Sequence, residues 1–157
     1  MISAQQQHAL RIIHDGLQKT KIVWAITGSL GFALHGMKLK VNDIDLQTDA
    51  SGAYQIENTF AENVVRKVKF SVSDKIASYW GELKIEGVKV EIMGALQKKL
   101  PNGTWESPVE VERYREFVTF EFMKLPVLSL KYEEQAYRKL GRTEKADRIK
   151  EWLASYD

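Results

Sequence analysis

Residues 28–46 read GSLGFALHGMKLKVNDIDL, directly after the apolar run Ile22, Val23, Trp24, Ala25, Ile26. The run is short and nearly all apolar, as expected of a strand (residues 21–27) buried on both faces. Gly28-Ser29 then turns the chain into a second element, residues 30–35, whose periodicity predicts a helix stopped by Gly36. A further strand is expected over residues 40–48. Alternate side chains of a strand share a face. In Asp43-Ile44-Asp45-Leu46 the two apolar residues therefore point one way and the two carboxylates the other.

The same alternation recurs at residues 88–92, where Val88, Val90 and Ile92 share a face and Glu91 takes the opposite one. If the two strands are neighbours, Asp43, Asp45 and Glu91 converge. Three ionised carboxylates in one place repel one another unless cations or shifted pKa values relieve them. An all-oxygen donor set favours Mg²⁺ or Mn²⁺, ions that share carboxylates with substrate phosphates. The Gly28-Ser29 turn opens a helix, so its backbone N–H groups and the Ser29 hydroxyl are expected to face an anion. A metal cradle beside a phosphate cradle describes a site for a nucleoside triphosphate.

Plainer readings stand beside this one. Asp43 and Asp45 also fit a solvated strand edge, and Ser29 a simple helix cap. Glu91 fits an exposed hairpin with cross-strand ion pairs to its neighbours Glu82, Lys84, Glu86 and Lys89. His8, His14 and His35 lack metal-ligand spacing. The four tryptophans read as core or interface residues, and Lys98, Lys99, Arg113 and Arg115 as a solvated basic rim.

The rest of the chain supplies context. Residues 3–19 carry Leu10, Ile13 and Leu17 near helical spacing, and residues 53–62 look helical. Strands are expected at 64–71, 77–85 and 88–93, with a tight turn at Glu86-Gly87. A surface hairpin is expected over 96–106, and a last strand over 117–123. After Leu125-Pro126 the pattern turns helical, giving two helices separated by Gly141, the second capped by Thr143. The fold class is thus α/β (α+β): a mixed sheet flanked by helices, with a C-terminal helical hairpin. Residues 1–125 are expected to form the core, and 126–157 a helical extension packed on it.

Composition narrows the function classes. The 157 residues are 44% hydrophobic and 28% charged, enough for a real core, with a formal charge of only +2. No long basic run suits coating of nucleic acid, so double-stranded DNA is not an expected partner. Cysteine is absent, which excludes disulfides, thiol catalysis and cysteine zinc sites and fits a cytoplasmic protein. The N-terminus MISAQQQHAL has no signal-peptide pattern, and no apolar stretch is long enough to span a bilayer.

The strand–GS–helix–ALHG–strand–DID arrangement resembles the signature of the polymerase-beta-like nucleotidyltransferase superfamily. It is most similar to small bacterial members, the lincosamide-type antibiotic and abortive-infection toxin-like nucleotidyltransferases. The resemblance is continuous over residues 22–48 and fragmentary at 88–93 and 128–153. It implies transfer of a nucleoside monophosphate from a triphosphate, such as ATP, to an acceptor hydroxyl, with release of pyrophosphate. It implies Asp43, Asp45 and Glu91 as catalytic and metal-holding residues, Glu91 standing where aspartate is commoner. Gly28 and Ser29 become the nucleotide turn, and Lys131 the lysine that approaches the triphosphate. The acceptor is a small molecule, an RNA end or a protein side chain, and a homodimer is left open. An antitoxin-like partner-binding module with this fold and little turnover is the alternative.

Overall fold

The computed structural model describes residues 1–155. Strand β1 (Trp24–Thr27) is buried along its whole length. It runs antiparallel to β2 (Ile44–Thr48), with Ile26 opposite Leu46 and Thr27 opposite Asp45. On the other side of β2 lies β5 (Val88–Lys98), parallel to it, with Asp45 beside Glu91. Strands β3 (Val64–Val72) and β4 (Ile76–Ile85) extend this half of the sheet antiparallel. The turn from β4 to β5 is Glu86-Gly87 as expected, both residues at positive φ.

On the far side of β1 stand β7 (Met123–Leu128), parallel to it, and β6 (Arg115–Phe120) at the edge. The order is β3-β4-β5-β2-β1-β7-β6, a seven-stranded mixed sheet.

This register sorts the faces. Ile26, Leu46 and Ile92 lie in one row across β1, β2 and β5, with Ile44 and Val90 beside them on the same face. They form one buried cluster with Leu10, Ile13 and Leu17 of α1 (Ala4–Leu17) and Ala53 and Ile56 of α3 (Ala50–Thr59). Full burial of each of these Leu and Ile side chains contributes about 1.5–3 kcal/mol, so this face anchors the sheet. Ser3 and Gln6 close a capping box at the start of α1, and the Asp49 carboxylate accepts from the Gly52 N–H at the start of α3.

The opposite face carries α5 (Leu130–Lys139) and α6 (Thr143–Ala154), the expected helical hairpin. With α2 (Gly28–Leu34) they bury Phe32, Leu130 and Ile149 together. A short helix, α4 (Val111–Tyr114), leads into β6.

Several boundaries differ from the sequence reading. Residues 117–123 are not one strand but parts of the β6–β7 hairpin, which turns at Glu121 and Phe122, both at positive φ. Strand β7 contains Pro126, a residue usually confined to edge strands, and that disguised it. The boundary expected between residues 125 and 126 falls inside this strand. The hairpin expected over 96–106 is present but short: beyond the end of β5 the chain turns at Pro101-Asn102-Gly103, and the Leu100 N–H donates to Thr104 O and the Glu106 N–H to Lys98 O on either side of the Lys99–Trp105 bridge. Thr143 is the first residue of α6 rather than its cap, a position held by Arg142. Among the described residues, no helix is long and apolar enough to cross a membrane.

Candidate functional site

Residues directly opposite one another on paired strands share a face of the sheet. Thr27, Asp45, Glu91 and Glu82 therefore form one row across β1, β2, β5 and β4, on the face away from α1 and α3. Asp43 precedes β2 by one residue, and Lys89 lies two residues before Glu91 on β5. The Lys89 ammonium stands among the acids, 3.5 Å from Glu91 Oε1, 3.9 Å from Asp43 Oδ2 and 4.0 Å from Glu82 Oε1. The expected adjacency of Glu91 and Asp45 is thus present in the register.

The expected three-carboxylate shell is not closed. Among the described residues, no three His, Cys, Asp or Glu side chains are arranged to hold one metal ion. The donor chemistry nevertheless fits a cation. Asp45 Oδ1 is buried with no hydrogen-bond partner, and a lysine ammonium already stands among Asp43, Glu91 and Glu82. Asp43, Asp45 and Glu91 are the groups that could hold a divalent ion.

Burial pushes the Asp45 carboxyl up to about 8, reinforced by its contact with Glu91 and by the charges of Glu91, Asp43 and Glu133. Without a cation, Asp45 holds its proton well above the usual carboxylate range. The neighbouring acids, Glu91 foremost, push Lys89 upward.

The turn after β1 works differently from its sequence reading. Gly28 has φ +71°, and a Cβ there would stand 2.6 Å from Asp45 Oδ2. Glycine is required because a carboxylate lies over it. The Gly28 N–H donates to Glu133 Oε2 at 3.2 Å, so that donor is committed within the protein. The Ser29 hydroxyl oxygen accepts from the Asn42 N–H at 2.9 Å, fastening α2 to the loop that presents Asp43. Its own proton remains available to a ligand.

Gly28, Ser29, Asp43 and Asp45 line a cavity of about 510 Å³, within the range of small-molecule sites. Its other wall carries Arg142, Lys145 and Arg148, with Lys40 from the loop before β2. Lys131, expected at the triphosphate, is exposed and lines neither this cavity nor a second one, bordered by Thr27, Gly28, Asp45, Glu91 and Glu133. The buried positions of α5 are Leu130, Glu133 and Ala136, a phase that turns Lys131 outward. The cations come instead from residues 142, 145 and 148, whose spacing of three places them along one side of a helix. That spacing was visible in the sequence.

The sequence reading also missed Glu133. Its carboxylate is buried and accepts from Thr27 Oγ1 at 2.6 Å as well as from Gly28. Burial pushes it up to about 7, while these two hydrogen bonds and the Lys98 charge work against the rise. A charged residue in phase with Leu130 and Ala136 was the available signal. A larger cavity of about 650 Å³ lies between α5 and the segment around Trp105, but it contains none of the Asp43, Asp45 and Glu91 set. Chemistry rather than volume selects the site.

The model of the aminoglycoside-2''-adenylyltransferase family matches residues 9–151. A crystal structure from Thermotoga maritima, provisionally described as a nucleotidyltransferase, is 53% identical with a TM-score of 0.87, covering 99% of this chain and 96% of that one. The lincosamide antibiotic adenylyltransferase LnuA, in its lincomycin-bound structure, shares the fold at 16% identity and a TM-score of 0.57, covering 91% of this chain and 97% of that one. An antigenic nucleotidyltransferase-like protein from Paracoccidioides brasiliensis does so at 15% identity and 0.53, covering 95% and 75% respectively. No curated protein matches the chain. A family match over nearly the whole length and a relative more than half identical point the same way: the chain belongs to the aminoglycoside-2''-adenylyltransferase family, with a nucleotidyltransferase fold.

Proposed function

We propose that the protein transfers a nucleoside monophosphate, adenylate by its family, from a nucleoside triphosphate to the hydroxyl of a small-molecule acceptor. The acceptor oxygen forms a bond to the α-phosphorus, the bond from that phosphorus to the bridging oxygen breaks, and pyrophosphate leaves with the electron pair. One observation carries the reading: Asp43 and Asp45 share a cavity with Arg142, Lys145 and Arg148. Acids alone would suit a cation and bases alone an anion; the two facing walls suit a metal–triphosphate.

Arg142, Lys145 and Arg148 bind the phosphates and stabilise the departing pyrophosphate, and the Ser29 hydroxyl donates to a phosphate oxygen. Mg²⁺ or Mn²⁺, held by Asp43, Asp45 and Glu91, supplies charge neutralisation at the phosphoryl oxygens when bound. Glu91, half-buried and one strand out from Asp45, takes the acceptor's proton. The acid row continues to Glu82, which suits an acceptor carrying amino groups, such as an aminoglycoside.

The test is pyrophosphate release with each nucleoside triphosphate, Mg²⁺ or Mn²⁺, and a panel of hydroxylated amines. Metal-dependent release that disappears in Asp45→Asn is expected. No release with any combination, while metal-dependent triphosphate binding persists, would favour a partner-binding module instead.

A further inference from the structure

We propose that Glu133 is a positioning residue for the Asp45 carboxylate, acting through the Thr27–Gly28 turn; the proposal rests on the reading of the site given above. Glu133 comes from α5, in the C-terminal part of the chain, more than 100 residues from the turn it holds. It is 3% exposed. Burying a carboxylate is expensive unless it is bonded. A leucine at this phase of α5 would pack with fewer demands. What the carboxylate gains is two donors from one turn, the Thr27 hydroxyl and the Gly28 N–H, received by the same oxygen.

Both donors belong to residues that touch Asp45. Thr27 is its partner in the β1–β2 register, and Gly28 is the residue over whose Cα the Asp45 Oδ2 atom rests. Asp45 has little else to fix it. Its Oδ1 is buried without a hydrogen-bond partner, and its side-chain contact with Glu91 holds only while the pair shares a proton, turning to repulsion, as with Asp43, once both are ionised. A carboxylate in that position keeps its direction only if the surface beneath it is rigid. Glu133 supplies the rigidity by drawing the turn toward α5 from below. The pairing also explains why the Gly28 N–H points into the protein rather than into the nucleotide cavity.

Groups that orient a metal-holding side chain through hydrogen bonds typically change metal affinity about 10–100-fold when removed. Glu133→Ala and Thr27→Val each break the Thr27–Glu133 bond, from opposite ends. Each is expected to weaken Mn²⁺ binding by about 10–100-fold by calorimetry and to move the Gly28 amide and Asp45 carboxyl-carbon resonances of the ligand-free protein. Glu133→Gln, which keeps an acceptor oxygen in place, is expected to restore most of the affinity and the wild-type resonances.

A folded Glu133→Ala or Thr27→Val protein with unchanged Mn²⁺ affinity and an unmoved Asp45 resonance would overturn the proposal. So would a glutamine variant as impaired as the alanine, since the charge and not the hydrogen bonds would then matter. Thr27→Val keeps the branched strand side chain, and it decides between these outcomes if Glu133→Ala does not fold. If the wild-type protein itself binds no Mn²⁺, the proposed function fails, and the Asp45 resonance alone decides the role of Glu133.

Discussion

Replacing Gly28 by alanine tests why that glycine is there. Two costs are separable. The first is conformational: φ +71° for an L-residue costs roughly 1–2 kcal/mol. In a chain of this size that lowers Tm by about 2–8 °C. The second is local. The new Cβ would meet Asp45 Oδ2 at 2.6 Å, and ordinary contact begins at 3.4 Å, so the carboxylate must retreat by about 0.8 Å. Misplacing a reacting group by about 1 Å costs on the order of 10²-fold in rate. Gly103→Ala is the matched control, because Gly103 has φ +87° and nothing within 4 Å of its would-be Cβ. Both variants should lose similar stability by calorimetry, but only Gly28→Ala should lose pyrophosphate release and metal-dependent triphosphate binding. Equal activity in the two variants would refute the contact argument. Equal loss would refute it too, by showing that strain anywhere in the chain is sufficient.

Asp45→Asn should raise the Tm of the metal-free protein at pH 8, by removing a buried charge among acids, and abolish metal enhancement of triphosphate binding in calorimetry. Metal-free wild type should lose stability as pH rises from about 4 to about 8 in thermal melts. Asp45 at about 8 and Glu133 at about 7 keep protons that the unfolded chain releases near 4, so the unfolded state is favoured progressively across that window. Mn²⁺ should flatten the Asp45 part of the slope. Arg142→Ala and Lys145→Ala should raise KM for the triphosphate, whereas Lys131→Ala should leave it unchanged in steady-state assays. Lys89→Met should tighten Mn²⁺ binding in titrations, by up to about fivefold, because the lysine is half-exposed and its pairs are screened.

How far the sequence could be read depended on which physics set each position. The acid row was legible because strand alternation is strict: once Ile44, Leu46, Val90 and Ile92 were assigned to the core, Asp45 and Glu91 had one face left. The Gly28-Ser29 turn was legible as a turn but not in its purpose. The bond partners of Gly28 come from α5, and no local pattern announces that a distant glutamate will take an N–H otherwise suited to phosphate. In Glu133-Glu134 the two residues look alike in sequence. Glu134 pairs with Arg138 at i,i+4 on the surface, while Glu133 is buried, and only the phase of the helix separates them. The same phase leaves Lys131 exposed and outside the cavity lined by Asp43 and Asp45. Strand β7 stayed hidden because Pro126 argues against an interior strand, and long-range pairing with Ile26 outweighed that local preference.

The acids and the cations of the site come from different layers, and this bears on what residues 126–157 contribute. The sheet supplies Asp45 and Glu91, and the loop before β2 supplies Asp43. None of these can hold a triphosphate unaided, since every one repels it. Arg142, Lys145 and Arg148 lie within or at the start of α6, and Glu133, which fastens the turn beneath Asp45, lies on α5. Strand β7, which joins β6 to the interior strand β1, ends at Leu128. A chain ended at residue 125 would therefore keep the carboxylates but lose half of β7, all three of those cations and the brace under Gly28. Such a fragment should still attract divalent ions weakly, through Asp43 and Glu91, yet show no metal-dependent gain in triphosphate affinity. Retained triphosphate affinity in that fragment would mean that the phosphates are held by the sheet side alone, and the role given to α6 would have to be withdrawn.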